Sequence, residues 1–332
     1  LKAAAVCYVF GKSDLVEDLD ELLLGRVKRF ASILGISFLP AFVCWPLLSY
    51  GDHLLVEKDL DPRQKTTIMH RLLDCIQNEA SKHNLPVAFV NVMDRESALI
   101  EMLNRRGYNK SVHIPLNFID MGWTSFDEYL TFLGNLSSNS KKTVRREINR
   151  NRREGTVVEP LRIRDKHEER LHQLLDMNCY KHNGRPFSFS KSFLHELQSN
   201  LGEDVVFYVS WKGGVLTGTS VVFKRNGMIH LPMIGVDHAM TGDDYTYFYL
   251  GFYKPMMDAV SNGTKRFYAG RGMYETKARR GFRTANLYIY YRASTKTMNM
   301  AIKPWFALLS EWNQLKIRGL TRTNGPNRTG TV

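Results

Sequence analysis

Apolar residues recur at helical spacing in some stretches of the chain and alternate or run together in others, and these two periods predict its elements. Asp14–Ala31 sets Leu15, Leu19, Leu22, Leu23 and Val27 on one stripe, with acids near its start, as an amphipathic helix would. Pro62–Asn84 repeats the stripe through Ile68, Leu72, Leu73, Ile76 and Ala80, and Asp61 with Pro62 marks where it begins. Pro86–Met93 and His113–Ile119 predict strands, separated by a short helix over Ser97–Arg106 that stops at Gly107. Strand and helix alternate here as in an α/β unit.

A second unit follows. Helices are predicted over Ser125–Leu136, Ser137–Gly155, Lys166–His182 and Ser190–Asn200. Three strands come next, Val205–Trp211, Val215–Lys224 and Met228–Ile234, the last two joined by Arg225-Asn226-Gly227. Asn-Gly suits the positive φ angles of a two-residue hairpin turn. A helix over Tyr245–Ser261 and strands at Arg266–Ala269 and Ala285–Tyr291 precede a closing helix, Ala301–Leu315, with Trp305, Leu308, Leu309 and Trp312 on one side. The polar tail after Gly319 is expected to fray.

Composition changes the picture in two ways. At 332 residues the chain is long enough for two domains, and 46 Lys plus Arg against 33 Asp plus Glu give a net charge of +13. Such a surplus concentrates phosphates and points to a polyanionic partner. Cys7, Cys44, Cys75 and Cys179 lie far apart and form no C-x-x-C pair, which argues against a disulfide scaffold or zinc ribbon and for a reducing cytoplasm. No signal-peptide pattern opens the chain. From Phe30 to Gly51 there is no charge, but Gly35, Pro40 and Pro46 interrupt the run. Short buried strands fit it better than a spanning helix, so no stable membrane insertion is expected.

The first chemical signal is the segment Ser137–Gly155, with seven basic residues and two acids. Val144 and Ile148 form one apolar edge, and Lys142, Arg146, Arg150 and Arg153 lie opposite. Arginine forks bind phosphate oxygens in pairs, so this face suits a phosphodiester track, the plainer reading being a solvated charged helix. A second signal, Ala269–Phe282, leaves a strand through Gly270 and Gly272 and crowds Arg271, Glu275, Lys277, Arg279 and Arg280 into ten residues. A third runs from Gly235 to Gly251: Asp237 and His238 stand at a strand end, where a proton acceptor is useful, and Tyr245, Tyr247 and Tyr249 flank the following helix. No G-x-S-x-G, H-E-x-x-H or G-x-x-x-x-G-K-[ST] motif is present, and His167 and His172, five apart, suggest no metal site.

The order of basic helix, hairpin strands ending in Ile234-Gly-Val-Asp, long helix, then Arg266-Phe-Tyr-Ala-Gly with Glu275, Lys277 and Arg280-Gly-Phe resembles the Fem-type (FemABX-like) branch of the GNAT acyltransferase superfamily, which includes peptidoglycan biosynthesis and recognition proteins. The resemblance covers residues 110–295, and the N-terminal third more loosely. It implies a mixed α/β (α+β) fold of tandem GNAT-like domains, each a central sheet flanked by helices. These would be residues 1–122, with the helix 300–318 packing back on them, and residues 123–299, which carry the site, leaving 319–332 as tail. It implies also an aminoacyltransferase that moves an aminoacyl group from charged tRNA to an amine on a cell-wall precursor or small peptidic product. No cofactor beyond that donor is implied. The alternatives are acyl-CoA-dependent N-acyltransfer and a non-catalytic RNA- or glycan-binding protein.

An aminoacyl ester already has a leaving group, so amine attack needs oxyanion stabilisation rather than an enzyme nucleophile. Lys277 and Arg271 are the expected donors of positive charge; Asp237, His238 or Glu275 would take the amine's proton, and the sequence does not choose among them. Lys141, Lys142, Arg145, Arg146, Arg150, Arg153, Tyr245, Tyr249, Arg279 and Arg280 are expected to bind substrate phosphate and bases. One departure from the GNAT pattern bears on the donor. Where an acyl-CoA enzyme carries Arg/Gln-x-x-Gly-x-Gly/Ala, this chain has His238-Ala-Met-Thr-Gly-Asp-Asp-Tyr, and the carboxylates of Asp243 and Asp244 are expected to oppose a pyrophosphate.

Overall fold

The computed structural model describes residues 2–11 and 19–322. The chain forms two compact units, one from the residues up to Pro115 together with those from Ala285 on, the other from Leu116–Thr284.

The first unit opens with β1 (Ala3–Ala4) and β2 (Cys7–Phe10). The helix expected over Asp14–Ala31 is instead α1 (Leu19–Leu24), a 3₁₀ turn over Gly25–Val27, and α2 (Lys28–Ile33). Gly25 sits at φ 51°, a left-handed conformation that cannot continue a helix, while Asp14 to Asp18 lie outside the described residues. Only one strand forms in the uncharged stretch, β3 (Ala41–Cys44), and Ile33 and Leu34 before it are 82% and 58% exposed rather than buried. Then come β4 (Leu55–Val56), α3 (Pro62–Lys82), β5 (Val87–Met93), α4 (Ser97–Arg105) and β6 (Asn109–Asp120). α3 starts where the sequence marks it: Asp61 accepts from the Gln64 amide, the Gln64 side chain accepts from the Asp61 amide, and Pro62 needs no partner for an N–H.

β6 carries the chain into the second unit. There α5 (Phe126–Leu136), capped by Ser125, is followed by α6 (Ser138–Arg153), β7 (Val157–Leu161), α7 (Asp165–Asn183) and α8 (Phe193–Leu201). β8 (Val205–Lys212), β9 (Val215–Arg225) and β10 (Met228–Val236) form an antiparallel run. Asn226 and Gly227 have φ of 52° and 71°, the values their hairpin turn requires. The single long helix expected over Tyr245–Ser261 is broken. After α9 (His238–Thr241) come α10 (Thr246–Phe248), a π turn over Tyr249–Tyr253 and α11 (Lys254–Ser261). Pro255 has no N–H for a carbonyl one turn back, and the widened turn precedes it. β11 (Arg266–Tyr268), α12 (Tyr274–Ala278) and the start of β12 (Arg283–Arg292) complete the unit.

The sheet order in this unit is β6-β11-β10-β9-β8-β7. β10 and β11 are its only parallel pair among the described residues, matched at Met228–Arg266, Ile229–Phe267 and His230–Tyr268. Beyond His230 the register of β10 against β9 shifts, and β11 ends. α7 lies directly on β10: a Cβ at Gly235 would stand 2.2 Å from the Leu174 carbonyl oxygen, so only glycine fits. The core holds Leu133, Val144, Ile148, Leu250, Phe252, Tyr253, Phe267 and Phe282.

β12 returns the chain to the first unit, whose sheet order is β2-β3-β5-β12. α13 (Lys296–Ala301) and α14 (Lys303–Arg322) close the fold. The core-facing residues of this end are Ile302, Trp305, Phe306 and Leu309; Leu308 and Trp312, expected on the same side, are exposed. α14 runs on through Gly319 to Arg322, and the remainder of the expected tail lies outside the described residues. Among the described residues no helix is long and apolar enough to cross a membrane.

Candidate active site

All the candidate site residues of the sequence fall in the second unit. α6 presents one face to the core through Val144, Glu147, Ile148 and Asn151. Lys142, Arg145, Arg146, Arg150, Arg152 and Arg153 are exposed, and Lys141 is half-buried. Glu154 comes within 4.0 Å of Arg150, and Asp127 lines the groove that Arg145 and Arg152 share. The Arg150 guanidinium also lies 5.8 Å from the Tyr245 ring centre, which joins the basic face to the aromatic flank. Tyr249 is half-buried, its ring edge-on to Tyr253. A groove of about 230 Å³ runs beside the helix, with Arg145, Asn149 and Arg152 at its edge and Phe126, Leu130 and Met257 along its floor.

Beneath α6 lies a buried charge network. Arg280, 3% exposed, puts Nη2 2.7 Å from both carboxylate oxygens of Glu147 and donates from Nε to Tyr253 Oη at 2.7 Å. Its Nη1 donates to the Thr276 carbonyl, Phe248 covers the guanidinium at 3.9 Å, and the Tyr253 hydroxyl also donates to Glu147. The structure therefore corrects Arg280 as a phosphate ligand: every edge of its fork is satisfied inside the protein. Arg279 points outward, but Glu275 pairs with it one turn away, so these two exposed groups neutralise each other.

Lys277 is likewise buried. Its Nζ donates to the carbonyls of Ala269 (2.7 Å), Gly270 (3.4 Å) and Arg271 (3.2 Å). Burial lowers its pKa to about 7. Asn117, 1% exposed, grips the same loop from the other side through the Gly270 and Gly272 carbonyls at 2.9 and 3.1 Å. Gly270, Gly272 and Met273 all have positive φ, so the loop is a tight coil wound about one amine and one amide. Lys277, expected to face the reaction, is thus directed at backbone, while Arg271 on this loop is half-buried. Asn117 gave no signal in the sequence, since it lies in a strand more than 150 residues from its partners.

Asp237 caps α9, accepting from the Ala239 and Met240 amides, and its other oxygen takes Arg170 Nη2 at 2.8 Å. The Arg170 hydrogen bond holds its pKa below the usual carboxylate range, so as a proton acceptor it is weak. His238 beside it is exposed, its pKa lowered by partial desolvation and by Lys181 and His182 nearby. It is neutral near pH 7. Asp244 turns inward, 2% exposed, accepting from Thr246, Thr156 and Lys212 Nζ (3.2 Å), and only Asp243 of that pair faces solvent. The carboxylate that occupies the amides at the strand end is therefore Asp237. Away from this region exposed Asp165 and half-buried Glu168 and His195 bring ligand atoms within 4.8 Å of one another, with His195 Nδ1 3.0 Å from Glu168.

The sequence model of the FemAB-like family, described as peptidoglycan biosynthesis/recognition, matches residues 31–328. The chain belongs to this family. No curated protein matches the sequence. Among solved structures, L-PGS from Bacillus licheniformis is similar at 15% identity and a TM-score of 0.54, over 80% of this chain and 82% of that one. The C-terminal domain of a putative lysylphosphatidylglycerol synthetase from Agrobacterium fabrum gives 14% and 0.54, over 79% and 82%. FemX gives 9% and 0.54, over 80% and 84%. At such identities the likeness is one of fold, and the expected mixed α/β class, a central sheet flanked by helices, is borne out for this FemAB-like chain.

Proposed function

We propose that this FemAB-like protein transfers an aminoacyl group from charged tRNA to an amine, forming an amide bond. The observation that carries the reading is the solvent face of α6, on which six cations stand exposed and, among the described residues, only Arg150 has an acid, Glu154, within 4.0 Å. An acyl-CoA offers too few phosphates to use such a track, whereas a tRNA acceptor stem spreads them along it. The family's description, peptidoglycan biosynthesis/recognition, supports a cell-wall precursor as the amine-bearing acceptor.

In this reading the amine attacks the ester carbonyl, the ribose hydroxyl leaves, and no covalent enzyme intermediate forms. Arg271 faces the negative charge that develops on the carbonyl oxygen. Lys277 and Asn117 act through it, by fixing the loop from Ala269 to Met273. His238, neutral near pH 7, takes the proton of the attacking amine. Orientation supplies much of the acceleration, up to about 7–11 kcal/mol in favourable systems.

A second reading, acyl-CoA-dependent N-acyltransfer, is favoured by one observation: Asp244 is turned inward and paired, so it does not oppose a pyrophosphate. Against it, Asp237 fills the amides of Ala239 and Met240. The deciding experiment supplies charged tRNA or acetyl-CoA with a panel of amine acceptors. Amide product with tRNA alone, abolished by ribonuclease, supports the proposal. Turnover with acetyl-CoA that ribonuclease does not touch overturns it.

A further inference from the structure

Cys7 and Cys44 are 37 residues apart in sequence and directly opposite in space. β2 and β3 run antiparallel in a register that pairs Cys7 with Cys44, Tyr8 with Val43, Val9 with Phe42 and Phe10 with Ala41. Directly opposed residues of such a ladder have Cα atoms about 4.5–5.5 Å apart, inside the span of about 4.4–6.8 Å that a disulfide accepts. Both side chains emerge on one face of the sheet, and their sulfur atoms lie 2.8 Å apart as free thiols. The two are unequal. Cys44 is fully buried among Leu73, Ile76, Phe89 and Tyr290, whereas Cys7 is half-buried on the outermost strand of its sheet. The hydrogen bond with Cys44 lowers the pKa of Cys7, and burial raises that of Cys44.

We propose that Cys7 and Cys44 are a redox site, a thiol pair that closes to a cross-strand disulfide on reaction with a small disulfide oxidant and reopens with a reducing thiol. Cys7, the reachable sulfur, attacks one sulfur of oxidised glutathione as thiolate and releases one glutathione thiolate, leaving a mixed disulfide. Cys44 then loses its proton to solvent and attacks Cys7 Sγ, expelling the second glutathione. Two protein thiols and one glutathione disulfide become one protein disulfide and two glutathione thiols. Closing the bond draws the sulfurs in by about 0.8 Å, with no change of strand register. The product ties the outermost strand of the first unit to its neighbour.

The test uses the full chain carrying Cys75→Ser and Cys179→Ser, which leaves only the pair. It is incubated with oxidised glutathione, quenched in acid, denatured, alkylated and mapped by mass spectrometry. The expected result is loss of both alkylable thiols, the Cys7 peptide linked to the Cys44 peptide, no glutathione retained, and full recovery with dithiothreitol. A further Cys44→Ala variant should hold glutathione on Cys7, because nothing displaces it. Should that variant fail to fold, Cys7→Ser reads the other side: its Cys44 should stay alkylable after the same treatment. Two thiols that both remain alkylable, or a glutathione that persists on Cys7 beside an unreacted Cys44 in the intact pair, would overturn the proposal.

Discussion

Glu147 on α6 and Arg280 just beyond α12 form a buried ion pair 133 residues apart, each side chain 4% exposed. It holds the basic helix from beneath to the segment that follows the Arg271 loop. Desolvating two charges is costly, so the pair's net worth is small, but leaving one of them alone is not. Arg280→Met is expected to destabilise the second unit by about 3–5 kcal/mol, and Glu147→Gln with Arg280→Met by clearly less. Urea unfolding of the two variants checks this. Equal losses would mean that the ion pair is not the element that matters.

The outward side of α6 is expected to behave in the opposite way. Arg145, Arg146 and Arg152 are exposed, so replacing each with alanine should leave stability within about 0.5 kcal/mol. Affinity for RNA should fall, and the slope of log affinity against log salt should flatten by about 0.7–0.9 for each phosphate that is no longer neutralised. Filter binding of tRNA across a salt series, beside a thermal melt, reads both. An unchanged slope in the triple variant would make this face merely solvated.

What the sequence made legible was what depends on local pattern. The period of Val144 and Ile148 placed the cations of α6 outward, and Asn226-Gly227 set a hairpin whose register then ordered β8 to β10. Long-range pairing left no such trace. Arg280 reads as one more cation in a basic cluster, and only the fold brings Glu147 and Tyr253 to it. Lys277 looked like a group for the reaction because the carbonyls that take its ammonium are backbone, which residue types do not reveal. Asp237 and Asp244 look alike in a string of letters, yet one caps a helix toward Arg170 and the other is sealed against Lys212. Acids and bases counted along the chain measure net charge well and say little about which of them water can reach.

Burial of Lys277 makes stability depend on pH in a defined direction. Its folded pKa, about 7, lies below the ordinary 10.5. Below about pH 7 both folded and unfolded chains carry the proton, and the cost of burying it is felt in full. Between about 7 and 10.5 the unfolded chain binds more protons, so the folded state gains about 1.4 kcal/mol per pH unit. Lys277→Met lacks this term. The stability of the native protein relative to Lys277→Met should therefore rise by about 2 kcal/mol from pH 7.5 to pH 9, read by urea unfolding at each pH. A flat difference would mean that the amine is solvated in a way its carbonyl cage does not suggest.

The neighbours Asp237 and His238 separate a structural carboxylate from a proton acceptor. Asp237 is held ionised by Arg170, and its oxygens already take two backbone amides, so it contributes stability rather than basicity. With its folded pKa depressed, that contribution is present above the ordinary carboxylate pKa and is lost as pH falls through the lower, folded value. Asp237→Asn keeps a capping oxygen but loses the charge that holds Arg170, and should thus destabilise at neutral pH, with the gap closing in acid. Its turnover in the folded state should stay within about threefold of the native value. His238 is exposed, lies beside Lys181 and His182, and is neutral near pH 7 because partial desolvation and then their charge lower its pKa. His238→Gln should leave stability unchanged and lower turnover by about 10²-fold or more, the usual scale of a lost general base. The acid limb of kcat/KM against pH should also disappear, since the group that titrates there is gone. If Asp237→Asn instead removes that limb while His238→Gln keeps it, the proton goes to the carboxylate and Arg170 serves the chemistry rather than the fold.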